Sequence, residues 1–582
     1  MNRTNRRPSF KSAFLAGLVA ATISIWIWSS PGPAAAHRCF FPQVRDRIKQ
    51  QVAAEIQQQE YTCRGEIICG LKIIPTFYQE RNYAPVWFGI EGLHPAARVL
   101  VQTIREVEQE GLIPSDYHLK AIEKLMAELP VGRFPPDESK AEKWGDLDLI
   151  LTDAYLLLGS HLSGGRINPQ NLHADWLISP RSYDMLAVLN ATAGTGQMIN
   201  TLYRLRPVHA GYTKLLAALH PMRLLKAQGG WPRFEGKRTL RPGDVDPRVF
   251  TLRRRMTVSN DLKNSGPPEQ PDLYDQDLVS AVKAFQSRHG LAPDGVVGRK
   301  TRQAMNVTAT QRIRQIELNL ERWRWLPRYL GDRYIIVNTA AFFLRVMENN
   351  KKVMEMKVVV GRPARQSPAF SATMTYMVFN PYWNVPRTIA VEDILPKLAH
   401  GVDYLIDQDI KVFSGWGEDA RELDPLEINW SSYTGRNFPL RLRQEPGKKN
   451  ALGQIKFMFP NKFAVYLHDT PQRSLFDEFQ RDLSSGCIRV EDARSLAAYL
   501  LSDNPGWSRE RLLEALETGS RRVVYVSKPI TIHLNYMTAW VDEKGHLQFR
   551  EDIYRRDRRL DYALSHRNPY ALPPLMSPRG RL

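Results

Sequence analysis

Residues 463–490 read FAVYLHDTPQRSLFDEFQRDLSSGCIRV, and they begin with a short run in which alternate positions are apolar. The run from Phe463 to His468 has the period of two that is typical of a strand with one buried face. Such a strand places Tyr466 and His468 on the same face. We therefore expect His468 to end a strand of a sheet.

A cysteine follows this histidine nineteen residues later, within the segment SSGCIRV at 484–490. The next segment, Asp492 to Leu501, has the apolar spacing of a helix. Cys487 is therefore predicted to lie in a glycine-containing loop just ahead of a helix N-terminus. Backbone N–H groups, the helix dipole, Arg489 and a histidine would each lower the pKa of a thiol there and stabilise its thiolate.

Short β-rich runs surround this segment from residue 333 onward. Between residues 385 and 449 the pattern becomes helical and irregular, and it is far longer than the ~2 to 5 residues that join adjacent strands. Residues 333–545 are therefore predicted to form a mostly-β domain, an antiparallel or mixed sandwich, with a helical lid insertion at 385–449. A C-terminal tail is expected at 546–582.

The part of the chain that precedes this domain is predicted to be helical. Residues 37–251 have mostly helical patterning and contain nothing that looks catalytic. A compact helix, loop, helix, turn, helix unit follows at 252–308, and a helical linker is expected at 309–332. The chain is thus predicted to be an α+β multidomain protein.

The unit at 252–308 is similar to a known small domain. Four apolar side chains recur at i, i+3, i+4 and i+7 and predict one buried helix face: Leu278, Ala281, Val282 and Phe285. The segments FQ, HGL and DGVVG follow between residues 285 and 298. This pattern closely resembles the three-helix peptidoglycan-binding domain of exported wall enzymes, and a generic three-helix bundle is the alternative.

The segment around Cys487 resembles the catalytic domain, of the YkuD type, of the L,D-transpeptidase family. That family carries a histidine, a gap of about this size and a [ST]xGCxR box, which Ser484 to Arg489 matches. Residues 450–453 and 468–471 extend the resemblance. Ser485 stands where many members have His, which affects only how that side chain supports the loop. The domain order is similar to that of the large, multi-domain L,D-transpeptidases of Gram-negative envelopes.

The resemblance implies a role for each site residue. Cys487 would be the nucleophile and His468 the base. The N–H groups of Gly486 and Cys487 would form part of the oxyanion hole, and Arg489 would shape the site or meet a substrate carboxylate. The full oxyanion and substrate group comprises Gly486, Ser485, Arg489 and Tyr466. For each residue alone the alternative is structural: a small buried thiol, a solvated imidazole, a surface charge or a packed ring.

The resemblance also implies a reaction on peptidoglycan. The thiolate would attack the L-centre carbonyl of the diaminopimelate at the third position of a tetrapeptide donor stem, release the terminal D-Ala and leave a thioester. The side-chain amine of a second stem would resolve the thioester into a 3→3 crosslink. Water would give L,D-carboxypeptidase activity, and a free D-amino acid would give exchange. No cofactor or metal is signalled, and a carbapenem is expected to acylate the same cysteine and inhibit the enzyme.

Three other interpretations compete with this one. A wall cysteine peptidase of the NlpC/P60 type carries its histidine after the cysteine, whereas no histidine that looks catalytic follows Cys487. A sortase has a longer gap and a TLxTC box, which this chain lacks. A non-catalytic peptidoglycan-binding scaffold would not require both Cys487 and His468.

Charge and the N-terminus indicate the compartment. The 582 residues include 80 Lys+Arg against 61 Asp+Glu, a formal charge of +19 that favours an anionic partner. Basic residues before position 12, an uncharged run at 13–28 and three alanines at 34–36 predict a signal peptide over residues 1–36, with an uncleaved anchor as the alternative. We expect a periplasmic protein whose partners are peptidoglycan stem peptides and glycan, not nucleic acid, without stable membrane insertion after cleavage.

Three of the four cysteines, Cys39, Cys63 and Cys69, lie near the mature N-terminus and allow one local disulfide. A helix over residues 41–60 would hold Cys39 and Cys63 roughly 28 Å apart, beyond disulfide reach. The preferred pair is therefore Cys63 with Cys69, and three unpaired thiols are the alternative.

Overall fold

The computed structural model describes residues 42–57, 61–89, 91–129, 140–178, 181, 183–263 and 268–566. The predicted signal segment, residues 1–36, lies outside these ranges, as does Cys39. No helix within them is both long enough and apolar enough to span a bilayer.

The N-terminal part is mostly helical, with two small hairpins. Its elements are α1 (Pro42–Gln57), β1 (Tyr61–Cys63), β2 (Glu66–Ile68), α2 (Ile74–Glu80), β3 (Phe88–Gly89), β4 (Gly92–Leu93), α3 (Pro95–Arg105), α4 (Leu119–Glu128), α5 (Ala141–Gly164), α6 (Pro169–Leu172), α7 (Met185–Thr192), α8 (Met198–Arg204) and α9 (Ala210–Ala227). Helix α5 is buried on nearly all sides, as expected of the central helix of a bundle. Its buried Asp148 accepts hydrogen bonds from the Tyr78 hydroxyl and the Trp87 N–H, which satisfies the carboxylate.

The preferred disulfide between Cys63 and Cys69 is wrong. Both cysteines are buried, and no bond joins them. In the β1–β2 hairpin Cys63 lies opposite Glu66, and Tyr61 lies opposite Ile68. Cys69 therefore falls beyond the far end of the hairpin, about 10 Å along the strands from Cys63, which exceeds the usual disulfide span.

The predicted three-helix unit consists of α10 (Arg248–Val258), α11 (Gln276–Arg288) and α12 (Arg299–Met305). The predicted buried face is confirmed, because Leu278 and Phe285 are fully buried. The hydrophobic core of the unit also includes Phe234 and Leu240, so the unit begins before the expected boundary at residue 252. The linker forms α13 (Ala309–Trp325), which starts with a capping box.

The C-terminal domain begins with four strands, β5 (Arg333–Asn338), β6 (Phe343–Glu348), β7 (Lys351–Gly361) and β8 (Phe370–Phe379). The inserted segment then forms β9 (Trp383–Asn384), α14 (Arg387–Ile389), α15 (Leu395–Leu398), α16 (Asp403–Asp407), β10 (Ile410–Phe413), β11 (Glu422–Leu423) and β12 (Arg441–Gln444). Its four strands pair in the order β11-β10-β12-β9 around a separate hydrophobic core. The helices were expected from the sequence, and the small sheet was not.

The chain then returns to the main sheet. The remaining elements are β13 (Ile455–Met458), β14 (Leu467–His468), β15 (Asp482–Ser484), β16 (Ile488–Val490), α17 (Ala493–Leu501), α18 (Arg509–Glu517), β17 (Arg522–Asn535), β18 (Ala539–Val541), β19 (Leu547–Phe549) and α19 (Arg556–His566). Phe379 pairs with Ile455, so the insertion fills the connection between two neighbouring antiparallel strands.

The main sheet has nine strands in the order β15-β7-β16-β14-β13-β8-β17-β5-β6, and β6 also pairs with β7. Eight strands therefore close on themselves into one mixed sheet. The expectation of a sandwich was wrong in this respect, because that fold needs two sheets packed face to face. The predicted strand from Phe463 to His468 is shorter than expected: the Asn461 side chain bonds the Val465 N–H and C=O and holds the preceding residues in a turn.

The segment after residue 545 is part of the domain, not a separate tail. Val541 pairs with Leu547 across the predicted boundary. Leu560 and Leu564 on α19 are buried in the same hydrophobic core as the main sheet. Only residues 567–582 of the predicted tail lie outside the described part of the chain.

Candidate active site

Three neighbouring strands place basic groups in one row on one face of the main sheet. Lys456 on β13 pairs with His468 on β14, and His468 pairs with Arg489 on β16. Leu467 pairs with Ile488, so Cys487, one residue before β16, lies across from Tyr466. The rings of Tyr466 and His468 meet edge to face with centroids 5.7 Å apart. The sheet thus brings Cys487, His468, Tyr466 and Arg489 together.

The loop before Cys487 is held by its own side chains. The Ser484 hydroxyl donates to the Cys487 carbonyl at 2.6 Å and accepts from the Gly486 N–H at 3.1 Å. Gly486 has φ +115°, a conformation that favours glycine. The Gly486 N–H is therefore engaged within the loop, whereas no hydrogen-bond acceptor for the Cys487 N–H is found among the described residues.

His468 is oriented as a base. Its Nδ1 lies 2.6 Å from the Asp469 carbonyl oxygen, which can only accept, so Nδ1 carries the proton and Nε2 keeps a lone pair. Burial, followed by the positive charges of Arg489 and Lys456, lowers the pKa of His468 to about 3. The imidazole is therefore neutral at physiological pH.

The thiol of Cys487 differs from the sequence-based expectation. Burial raises its pKa, while hydrogen bonds from Tyr466 and the charges of Lys456 and Arg489 act in the opposite direction without cancelling it. The expected contribution of a helix N-terminus is wrong, because Cys487 is followed by strand β16 and α17 begins only at Ala493. That helix is capped by the Asp492 carboxylate, which accepts a hydrogen bond from the Ser495 N–H.

The arrangement is a neutral thiol beside a neutral imidazole. His468 lies diagonally across from Cys487 on the same face, and no hydrogen bond joins the two side chains in the described structure. Such contacts commonly tighten only when substrate binds. This pair can perform nucleophilic attack in which the base removes the thiol proton during the step, without a preformed ion pair.

Lys456 is a site residue that the sequence reasoning missed. Its Nζ lies 3.9 Å from the centre of the Tyr466 ring, and burial lowers its pKa. No carboxylate pairs with it in the part of the chain that the structure describes. The one available signal was a lysine between the apolar residues Ile455 and Phe457 of a strand, which is equally typical of a solvated face.

Two contacts connect the insertion and its flank to the site. Trp383 on β9, just before residue 385, lowers the pKa of Tyr466 without cancelling the burial that raises it. On the other side, Arg365 donates to the Ser485 hydroxyl at 2.9 Å and forms ion pairs with Glu392 and Asp393 of the insertion. Ser485 is thereby linked to the insertion through one guanidinium.

We expect the pH at which alkylation of Cys487 reaches half its maximal rate to lie above ~8.5, the ordinary value for a thiol. Replacing Lys456 with Met removes a cation that stabilises the thiolate, so this midpoint should rise further. The iodoacetamide rate is measured from pH 6 to 11. The matched control is Lys462→Met, an exposed lysine before the site. A midpoint below ~8.5 in the wild type, or no response to Lys456→Met, would contradict this balance of burial and charge around the thiol.

The described residues contain no group of three or more His, Cys, Asp or Glu side chains suited to a metal ion.

Three parts of the chain match models of known protein families. Residues 332–526 match the family model described as "L,D-transpeptidase catalytic domain". Residues 254–305 match "Putative peptidoglycan binding domain", and residues 72–219 match "Scaffold domain".

A protein of Haemophilus influenzae named "Putative L,D-transpeptidase" is 33% identical over 330 residues, which cover 55% of this chain and 66% of that relative. The chain thus spans slightly less than two thirds of the relative's length. An L,D-transpeptidase from Mycobacterium smegmatis is 13% identical over 35% of this chain and 58% of its own, with a TM-score of 0.17. An L,D-transpeptidase solved in complex with imipenem is 14% identical over 35% of this chain and 59% of its own, also with a TM-score of 0.17. The similarity to L,D-transpeptidases is carried by the family model over residues 332–526 and by the curated relative.

Proposed function

We propose that the protein is a periplasmic L,D-transpeptidase that forms 3→3 crosslinks in peptidoglycan, because residues 332–526 match the model of the L,D-transpeptidase catalytic domain and residues 254–305 match that of a peptidoglycan-binding domain. The observation that carries the proposal is the placement of Cys487, a neutral His468 and two cations on one face of the sheet. The predicted signal peptide supports the location.

The donor half-reaction uses the groups of this face. His468 Nε2 takes the thiol proton as the Cys487 sulfur attacks the L-centre carbonyl of the donor stem. The carbonyl oxygen becomes an oxyanion, which the free Cys487 N–H is placed to receive. When this intermediate collapses, the C–N bond to the terminal D-Ala breaks, the imidazolium protonates the leaving amine, and a thioester remains on Cys487.

The acceptor half-reaction reverses these roles. The side-chain amine of a second stem attacks the thioester carbonyl, His468 takes a proton from that amine, and the cysteine leaves as a thiol. Water in place of the amine yields the shortened stem, which is the L,D-carboxypeptidase outcome. Lys456 and Arg489, which lack carboxylate partners among the described residues, can attract the anionic stem.

A cysteine peptidase with its histidine after the cysteine is disfavoured by the positions of the later histidines. His533 Nδ1 lies 2.7 Å from the Ser371 hydroxyl, and its Nε2 lies 2.9 Å from the Leu330 carbonyl oxygen. Both ring nitrogens are therefore engaged away from Cys487. His546 is largely exposed at the β18–β19 turn.

The proposal is tested by incubating disaccharide-tetrapeptide with the purified mature protein and analysing the products by mass spectrometry. A crosslinked dimer that has lost one D-Ala supports transpeptidation. Accumulation of disaccharide-tripeptide alone indicates the carboxypeptidase, and an unchanged substrate under all conditions indicates a non-catalytic binding protein.

We expect the insertion to be needed for crosslinking but not for thiol reactivity. Residues 385–449 fold around their own core and join two neighbouring strands, so a short Gly/Ser bridge can replace them. Alkylation of Cys487 should persist in this variant, while dimer formation should fall at least ~10-fold through lost substrate positioning. Equal loss of both activities would mean that the insertion supports the fold of the site itself.

A further inference from the structure

The loop at residues 365–369 lies directly behind the nucleophile loop, and residues 367–369 are buried there. Ser367 is fully buried, and its hydroxyl donates to the Gly486 carbonyl at 2.7 Å. The same hydroxyl accepts from the Gly361 N–H at 2.9 Å, which fixes its direction. A side chain on Gly361 would collide with the Arg365 carbonyl at 2.1 Å, so glycine permits this close approach.

The bond to the Gly486 carbonyl has a geometric consequence for the next residue. The carbonyl of Gly486 and the N–H of Cys487 belong to one planar trans peptide unit, so they point in opposite directions. Holding the carbonyl toward Ser367 therefore aims the Cys487 N–H away from Ser367. The Gly486 N–H already donates to Ser484, whereas the Cys487 N–H has no acceptor among the described residues.

We propose that Ser367 is a positioning residue for acyl transfer, whose hydroxyl pins the Gly486–Cys487 peptide so that the Cys487 N–H faces the developing oxyanion. This inference rests on the proposed function, because an oxyanion forms only if Cys487 attacks a carbonyl. The Ser367 hydroxyl bonds the Gly361 N–H and the Gly486 carbonyl, and not the thiol or the imidazole. It acts through the orientation of one peptide unit.

Hydrogen bonds hold the backbone of Ser367 in place, and they connect it to Asp175 in the N-terminal part of the chain. The Tyr554 hydroxyl donates to the Gly361 carbonyl at 2.5 Å and accepts from the Ser367 N–H at 3.3 Å. Arg556 donates to the Ser367 carbonyl at 3.1 Å and forms an ion pair with Asp175. All of these contacts are buried or partly buried.

The backbone of the scaffold continues this contact. The Ala369 N–H donates to the Asp175 carbonyl at 3.0 Å, and the Leu177 N–H donates to the Ala369 carbonyl at 2.9 Å. Residues 175–177 thus pair with the loop that carries Ser367. This places residues 175–177 of the scaffold region behind the nucleophile loop and gives them a part in holding the site.

The test compares two reactions of the same thiol in the full mature protein. Acylation by a carbapenem passes through an oxyanion, whereas alkylation by iodoacetamide at a saturated carbon does not. Ser367→Ala should slow acylation by about 10- to 100-fold, less than the ~10²- to 10³-fold lost when an oxyanion donor is removed outright. Alkylation should stay within about threefold of wild type, since the thiol and its charged neighbours are unchanged.

The matched control is Ser371→Ala, which removes a partly buried hydroxyl on β8 that is bonded to His533. It should leave both rates near the wild-type values. Tyr554→Phe provides a second, milder variant that keeps the ring and loses the hydrogen bonds to Gly361 and Ser367, and it should slow acylation selectively. If Ser367→Ala fails to fold, the Tyr554→Phe variant tests the positioning role of Ser367 in its place.

Equal slowing of acylation and alkylation in these variants, or no slowing of either, overturns the role of Ser367. If the wild-type protein is alkylated but never acylated, the proposed function is wrong, and so is this inference. The two failures are distinguishable because the first requires an active wild-type enzyme.

Discussion

Replacing Cys487 with Ser should reduce crosslinking to below detection, a loss of at least ~10⁴-fold, although the two side chains are nearly isosteric. The serine hydroxyl has a far higher pKa than the thiol, and a neutral imidazole with the lowered basicity of His468 is too weak to activate it. The measurement is the rate of dimer formation from disaccharide-tetrapeptide, with carbapenem adduct formation as a second readout.

The matched control for this variant is Cys63→Ser, a buried cysteine of the N-terminal part. It should retain crosslinking after correction for folded protein, because Cys63 lies outside the catalytic domain. Crosslinking by the Cys487→Ser protein at a rate near that of wild type would mean that another residue is the nucleophile.

Replacing His468 with Ala should slow acylation by roughly 10²- to 10⁴-fold, the scale expected when a general base is lost. Since the imidazole is neutral and the pKa of Cys487 is raised by burial, nearly all of the thiol is protonated at pH 7 and needs a base during attack. The loss should shrink as the pH rises, because hydroxide then supplies the thiolate directly. Acylation rates from pH 6 to 10 provide the check.

The control for this variant is His546→Ala, an exposed histidine of the same domain. It should change acylation by less than about twofold, as is usual for surface substitutions. A His468→Ala loss that is constant across the pH range would argue for a structural role of the imidazole.

The placement of His468 beside Cys487 could be predicted from the sequence because its signals are local. A strand pattern ending at His468 and a glycine before Cys487 are visible within 28 residues, and the sheet places both side chains on one face. The helix faces of the binding unit and of α17 were predicted for the same reason. Periodic burial along a single element is encoded by neighbouring residues.

The rest of the site depends on pairings between distant segments. Lys456 becomes a site residue only because three strands align it with His468 and Arg489. Ser367 and Gly486 are 119 residues apart, so no local pattern connects them. The insertion's strands are two to four residues long, too short for alternation to be recognised.

The expectation of a lowered thiol pKa was wrong because it assumed that a helix would follow the cysteine at once. Residues 488–490 instead pair in the sheet, and the desolvation of the partly buried Cys487 raises its pKa. Burial disfavours the thiolate by more than the two cations favour it. The sequence indicated which charges would be near Cys487, but not how far water would be excluded from it.

The central claim is that Cys487 forms a thioester with the donor stem. The direct measurement is rapid quenching of the wild-type protein with disaccharide-tetrapeptide, followed by intact-mass analysis and peptide mapping. We expect a mass increase equal to the donor minus D-Ala, confined to the peptide that contains Cys487 and removed by hydroxylamine. An adduct on another residue, or crosslinked product formed by Cys487→Ala protein, would contradict the account.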